Sequence, residues 1–84
     1  MKAKSALTIL NSITEDAHMI NERARSKGKE SDVIYNVKIN TASREYEFQM
    51  MEDSNWNIED DILWLETNEG TQWIDIDKIE SITI

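Results

Sequence analysis

Hydrophobic residues near the start of the chain recur with a helical period. Six of them follow one another at alternating steps of four and three, so they share one side of a helix: Ala6, Leu10, Ile13, Ala17, Ile20 and Ala24. Gly28 follows a last turn that contains Arg23, Arg25 and Lys27. These cations suit the negative end of a helix dipole, and glycine suits the left-handed position that ends a helix. The pattern predicts a helix over residues 3–27.

Two alternatives remain open for this segment. Ser12 and Thr14 are poor helix formers, and Ser12 with Glu15 could make a capping box, which would divide the segment into two helices. The spacing of the apolar stripe also suits a coiled coil, in which the helix would pair with a second copy of the chain.

Beyond the helix the period changes to two, which is typical of strands with one buried face. Val37 and Ile39 alternate with polar residues, and so do Phe48 and Met50. Gly70 lies where a hairpin turn needs a positive φ. Strands are predicted near residues 33–40, 44–51, 61–67, 71–76 and 79–84. The segment 52–61 is expected to be an acidic connection that can include a turn of helix.

The order of elements predicts an α+β fold, with an N-terminal helix packed on a curved antiparallel sheet of about five strands. No proline, repeat or linker divides the chain, so residues 1–84 are expected to form a single domain. A chain of 84 residues is near the lower limit for a self-sufficient core. Its stability should therefore be modest.

The negative charge is gathered in the second part of the chain. The formal net charge is −8: residues 1–51 hold eight basic and seven acidic residues, whereas residues 52–84 hold ten acidic residues and Lys78 as their one base. Direct nucleic-acid binding is disfavoured, because phosphate contacts need a basic face. The asymmetry favours a protein partner with a basic surface. The alternative is an acidic face that only keeps the protein soluble.

Export and membrane insertion are not expected. The apolar stretch at residues 6–10 meets Asn11 and Ser12 before a signal-peptide core is complete. No run approaches the roughly 20 apolar residues needed to cross a bilayer. Because the chain has no cysteine, disulfides and thiolate metal sites are excluded, and a cytoplasmic location is the simplest expectation.

Catalytic residues are not indicated by any motif. His18 is the single histidine, and no nucleophile is marked beside it. The segment that starts at Asp53 begins like a calcium loop, but Ile58 stands where glycine is required and Trp64 where glutamate is required. We therefore predict no metal, no cofactor and no enzymatic activity. Seventeen acidic residues leave carboxylate chemistry open, yet nothing singles out a pair.

The predicted partner-binding site centres on Trp56. Its members are Glu52, Asp53, Trp56, Ile58, Glu59, Asp60 and Asp61. A large aromatic residue at an interface can anchor in a pocket while carboxylates around it meet lysines and arginines. The alternative is that Trp56 folds back to close one end of the sheet. Trp64 and Trp73 are expected to pack in the core or on the sheet surface, with a place in a binding face as their alternative.

The layout resembles that of phage uracil-DNA glycosylase inhibitors. The shared features are a helical start, then Glu30-Ser31-Asp32 leading into an apolar strand, on a small acidic chain. The resemblance implies a DNA mimic whose carboxylates take the places of phosphates. No residue roles are carried over, because the family's Glu-Ser-Ile motif is matched only by Glu80-Ser81-Ile82, at the opposite end of the chain. Size and charge also resemble anti-CRISPR proteins. Both imply an inhibitor that occludes the basic groove of a nucleic-acid-binding enzyme.

The chain also resembles Sm-like small barrels, which place a helix before five short strands and turn sharply before the last one. Residues 73–79 suit that turn. RNA binding by such a barrel would need basic residues in the final loops, where this chain has Lys78 alone. The resemblance therefore implies a structural or assembly module that self-associates, for example as a homodimer.

Overall fold

A computed structural model of the chain describes residues 1–29, 35–50 and 55–84. These residues form one helix and six strands, arranged in two antiparallel sheets of three. The elements in chain order are α1 (Ala3–Ser26), β1 (Tyr35–Thr41), β2 (Glu45–Met50), β3 (Trp56–Glu59), β4 (Ile62–Thr67), β5 (Gly70–Asp75), a 3-10 turn (Ile76–Lys78) and β6 (Ile79–Thr83). The predicted α+β class is confirmed.

The N-terminal segment is one continuous helix of 24 residues, which excludes the two-helix alternative. Ser12 donates its hydroxyl hydrogen bond to the carbonyl of Thr8 at 2.9 Å, and Thr14 donates to the carbonyl of Leu10 at the same distance. Bonds of this kind to the preceding turn satisfy hydroxyl groups inside a helix. Ser12 and Thr14 are thus accommodated without a break.

The helix ends as its sequence predicts, with Gly28 in the left-handed region at φ 72°. The amide of Gly28 donates to the carbonyl of Arg25 at 3.0 Å, and the amide of Lys29 donates to the carbonyl of Ala24 at 2.9 Å. These bonds satisfy carbonyl groups that the last turn would otherwise leave without a partner.

The strands divide between two sheets, so the prediction of one curved sheet with about five strands is only approximate. The first sheet has the order β2-β1-β6, and the second has the order β3-β4-β5. Asn55 links them: its side-chain amide donates to the carbonyl of Gln49 at 2.7 Å, and its carbonyl accepts from the amide of Glu66 at 3.0 Å.

The prediction of a connection over residues 52–61 is wrong for residues 56–59, which form β3 and pair with β4. Trp56 lies opposite Leu65, and Ile58 lies opposite Leu63. The alternation of apolar and polar residues in this strand is only four residues long and is surrounded by carboxylates. The sequence pattern is therefore too short to predict a strand there. The part of the connection formed by residues 52–54 lies outside the described residues.

Apolar side chains of α1 and both sheets form one core. Its members are Ala6, Leu10, Val37, Ile39, Phe48, Met50, Trp56, Leu63, Leu65, Ile74, Ile76 and Ile79. The helix stripe therefore packs inside the chain, as predicted. Ala6, Leu10 and Ala17 are fully buried, so a coiled coil with a second copy cannot use them.

Polar contacts add to this docking of the helix. The indole Nε1 of Trp56 donates to the Thr14 hydroxyl at 3.2 Å, and the Tyr35 hydroxyl donates to the Asp16 carboxylate at 2.5 Å. The bond to Asp16 favours the protonated phenol and raises the pKa of Tyr35. Both contacts fix α1 against the strands that carry their donors.

Replacing Gly28 with alanine should lower the free energy of unfolding by about 1 kcal/mol, because a side chain disfavours positive φ. Apart from its two neighbours in sequence, no described residue has an atom within 4 Å of a Cβ added there, so the expected loss comes from backbone conformation. Urea denaturation measures the change. Gly28→Asn is the control and should cost less, since asparagine tolerates this region. Equal stability of wild type and Gly28→Ala would contradict this account.

Candidate functional site

Side chains at alternate positions of β3, β4 and β5 point away from the core. Trp64 lies opposite both Asn57 and Trp73, which sets these three residues in a row across the sheet. In the next row, Ile62 lies opposite both Glu59 and Asp75. We call these two rows, together with Asp60 in the adjoining turn, the tryptophan face. Most of its members line a shallow depression of about 500 Å³.

The centre of the tryptophan face is apolar and open to water. Trp73 is 67% exposed and Ile62 is 40% exposed, while Trp64 between them is half-buried. Single exposed apolar residues are common, but adjoining ones that include tryptophans mark interaction sites on small proteins. Large aromatic anchors are also the side chains that dominate the binding energy of interfaces.

Carboxylates gather at one end of this sheet. The set, which we call the acidic end, consists of Glu59, Asp60, Asp61, Asp75 and Asp77. The amide of Ile76 donates to the carbonyl of Asp61 at 2.9 Å, which holds the 3-10 turn against the β3–β4 turn. The Asp75 carboxylate accepts from the amide of Asp77 at 3.1 Å and caps the same turn. The two turns thereby bring residues 59–61 and 75–77 together.

Among the described residues, no ion pair with a lysine or arginine compensates the negative charge of the acidic end. All nine lysines and arginines of the chain lie within the described residues, and none forms an ion pair with any of these five carboxylates. Asp60 also has φ 53°, in the left-handed region that favours glycine. A carboxylate therefore stands at a turn position where glycine would have the lower conformational energy.

Trp56 does not lie on the surface, where the prediction of the partner-binding site placed it. The residue is 8% exposed and belongs to the core, which matches the alternative that it folds back to close one end of the sheet. Ile58 is half-buried and packs against the same core. The cause is the pairing of β3 with β4, which turns both side chains inward. Neither residue is a surface anchor in this fold.

The remaining predicted site residues fall into two groups. Glu59, Asp60 and Asp61 are exposed and lie together at the acidic end. Glu52 and Asp53 lie outside the described residues. The aromatic centre that these carboxylates frame is formed by Trp64 and Trp73, for which the sequence prediction preferred a packing role.

One signal in the sequence could have identified Trp73 as a surface residue. Thr71 and Asp75 stand two positions before and after it, whereas Ile74 and Ile76 share the other parity. In a strand with one buried face, this pattern places Trp73 on the polar side. Trp64 has no such signal, because it lies within a continuous apolar run.

A second surface feature combines an aromatic ring, a carboxylate and a cation. The guanidinium carbon of Arg44 lies 4.2 Å from the centroid of the Tyr46 ring. Its Nη2 is 3.4 Å from Oε2 of Glu69 in the β4–β5 turn. These residues line a cleft of about 390 Å³ between β2 and that turn. At this cleft the cation that pairs with the ring and the carboxylate is Arg44 of the chain itself.

The described residues contain neither a metal-binding cluster nor a membrane-spanning helix. No group of three or more histidine, aspartate or glutamate residues there could hold a metal ion. No helix in the same part of the chain is long and apolar enough to cross a bilayer.

Replacing Trp56 with phenylalanine should lower the free energy of unfolding by about 1–2 kcal/mol, because a core contact and the bond to Thr14 are lost. Trp73→Phe, the matched surface variant, should change it by less than about 0.5 kcal/mol. Urea denaturation of both variants measures the difference. A larger loss in Trp73→Phe than in Trp56→Phe would contradict this assignment of core and surface.

Comparison with known proteins adds no relative. A scan against protein-family models finds no match, and searches of curated proteins and of solved structures find no similar protein. The candidate site therefore rests on the geometry and charge of the tryptophan face and the acidic end.

Proposed function

We propose that this protein is a non-enzymatic binding protein whose tryptophan face and acidic end contact a basic surface of another protein. The observation that carries the proposal is the 67% exposure of Trp73 beside carboxylates that no lysine or arginine of the chain neutralises. An exposed tryptophan gains no free energy of burial when the chain folds, and crowded like charges oppose folding. A partner that covers the ring and supplies cations would provide that burial and relieve the repulsion.

The arrangement suits the division of roles found at specific interfaces. Trp73, Trp64 and Ile62 offer apolar area at the centre, where binding energy concentrates. The carboxylates lie around that centre, where charges speed association and exclude unsuitable partners. Residues 52–84, with a formal charge of −9 from ten acids and one base, would attract a basic partner over a distance of several ångströms.

The partner surface that best fits this chemistry is the basic groove of a nucleic-acid-binding enzyme. Such a groove holds the lysines and arginines that contact phosphates, and the acidic end would occupy them as a mimic of DNA. Blocking the groove makes the protein an inhibitor, of the kind carried by phages and mobile elements. The target enzyme is cytoplasmic, and the proposed inhibitor acts there.

Affinity capture with immobilised protein tests this function. Immobilised wild type should retain a nucleic-acid-binding protein. Duplex DNA added afterwards should release that protein, because the two compete for the same basic groove. Retention should weaken strongly between about 0.1 M and about 1 M salt, where the Debye length falls from about 10 Å to about 3 Å. Trp73→Ala, and Asp60→Lys with Asp61→Lys, should each reduce affinity for that protein about tenfold or more.

The matched control is Glu45→Lys with Glu47→Lys, which reverses two exposed carboxylates on β2, in the other sheet. It should retain the same protein as wild type, with affinity within about threefold. Retention that is independent of salt, or equal in wild type and both site variants, would overturn the proposed function.

A self-associating module is the second candidate, and the exposed edge of the second sheet favours it. Within the described residues β5 pairs with β4 alone, and it carries the exposed Trp73. The order of one helix, antiparallel strands, a 3-10 turn and a last strand also suits the resemblance to Sm-like barrels. The net charge of −8 opposes this candidate, because two copies repel each other.

Sedimentation velocity over a wide concentration range distinguishes the two candidates. Self-association through this edge predicts a sedimentation coefficient that rises with concentration, and Trp73→Ala should lower it toward the monomer value. A monomer at every concentration would remove the second candidate and leave the first.

A further inference from the structure

The chain completes one arginine site by itself. Arg44 lies over the ring of Tyr46, 4.2 Å from its centroid, and its guanidinium reaches the Glu69 carboxylate at 3.4 Å. The ring attracts the cation through its negative face, and the carboxylate accepts from the guanidinium edge. The ring belongs to β2 and the carboxylate to the β4–β5 turn of the other sheet, so the arginine also joins β2 to that turn.

The tryptophan face holds the ring and the carboxylates of such a site but no cation. Trp64 and Trp73 lie opposite each other, and Glu59 and Asp75 flank Ile62 in the next row. Residues directly opposite on an antiparallel pair have Cβ atoms about 5 Å apart, and diagonal neighbours about 7–8 Å. A cation interacts with a ring from within about 6 Å of its centroid, so one side chain can meet both a ring and a carboxylate here.

None of the chain's own cations fills this place. The nine lysines and arginines all lie in the described part of the chain, and neither Glu59 nor Asp75 forms an ion pair with any of them. Lys78 is the single base after Met51, and it is the exposed last residue of the capped 3-10 turn. A cation that paired with Glu59 or Asp75 at this face would therefore come from outside the chain.

We infer that the tryptophan face binds an arginine side chain of the partner protein, and this inference rests on the proposed function. The guanidinium stacks on the Trp73 and Trp64 indoles and donates to Glu59 or Asp75. Its methylene groups lie along Ile62, in the manner of long charged side chains that cover apolar surface. The chain thereby receives from its partner the component that Arg44 supplies at Tyr46 and Glu69.

Arginine fits this face better than lysine for three physical reasons. Its guanidinium is planar and stacks on a ring, whereas an ammonium group is compact. It is less strongly hydrated, so covering it costs less. It also presents several donors in one plane, so it can remain stacked while it bonds to a carboxylate at its edge.

Titration of isotope-labelled protein with short capped peptides tests the inference. The three tryptophans give three indole N–H signals in a nitrogen–proton spectrum, and Trp56 in the core serves as the internal reference. Gly-Arg-Gly-Arg-Gly should shift the Trp73 and Trp64 signals saturably and leave Trp56 in place. Its affinity should exceed that of Gly-Lys-Gly-Lys-Gly about three- to fivefold. The citrulline analogue, which keeps the shape without the charge, should not saturate.

Substitutions separate the contribution of the tryptophan ring from that of the carboxylates. Trp73→Ala should remove the preference for arginine over lysine. Glu59→Gln with Asp75→Asn should lower arginine-peptide affinity about two- to fivefold, and an asparagine at position 75 can still cap the 3-10 turn through its side-chain oxygen. Glu45→Gln on β2 is the control and should bind as wild type does.

Equal affinity for the arginine and lysine peptides, or an arginine preference that survives Trp73→Ala, would overturn the inference. The proposed function is judged separately. If capture of the partner depends on Trp73 while the peptides bind equally, the arginine site fails and the binding function stands. If capture is equal in wild type and both site variants, the binding function fails, and the peptide titration alone decides whether an arginine site exists.

Discussion

The burial of Leu63 and Leu65 at the centre of the second sheet is the constraint on which the rest of the structure depends. Both side chains are fully buried, and successive side chains of a strand point to opposite faces. Ile62 and Trp64 must therefore face water. The same register turns Trp56 inward and Trp73 outward on the neighbouring strands. A shift by one residue would exchange the two faces of every strand in the sheet.

Stability and the candidate site use separate parts of the molecule. The helix contributes Ala6 and Leu10 to the core, and Thr14 holds the indole of Trp56. These contacts involve none of the residues at the acidic end. This separation allows an exposed tryptophan and carboxylates without ion pairs to persist, because the docking of the helix on the sheets does not depend on them.

Two surfaces of the protein combine aromatic rings with carboxylates, but only one of them also includes a cation from the chain. At Arg44 the ring, carboxylate and cation all belong to the chain, and the cation links the two sheets. At Trp73 the rings and carboxylates stand together without a cation. Self-repulsion among the carboxylates favours an incoming positive charge, and the rings give that charge a surface on which to stack. In the proposed complex, electrostatic attraction and apolar burial would act at the same place.

Local pattern by itself determined the helix, its glycine end, the alternation in β1 and β2 and the turn at Gly70. Each depends on neighbours in sequence, through helical period, cap conformation or strand parity. It also determined that negative charge concentrates after Met51. Tertiary structure alone decided that residues 56–59 are a strand, that Trp56 is buried, and that Trp64 and Trp73 meet beside Glu59 and Asp75. The apolar run 62–65 has no parity of its own, so its two faces are distinguished only by pairing with β3 and β5 and by packing on the core.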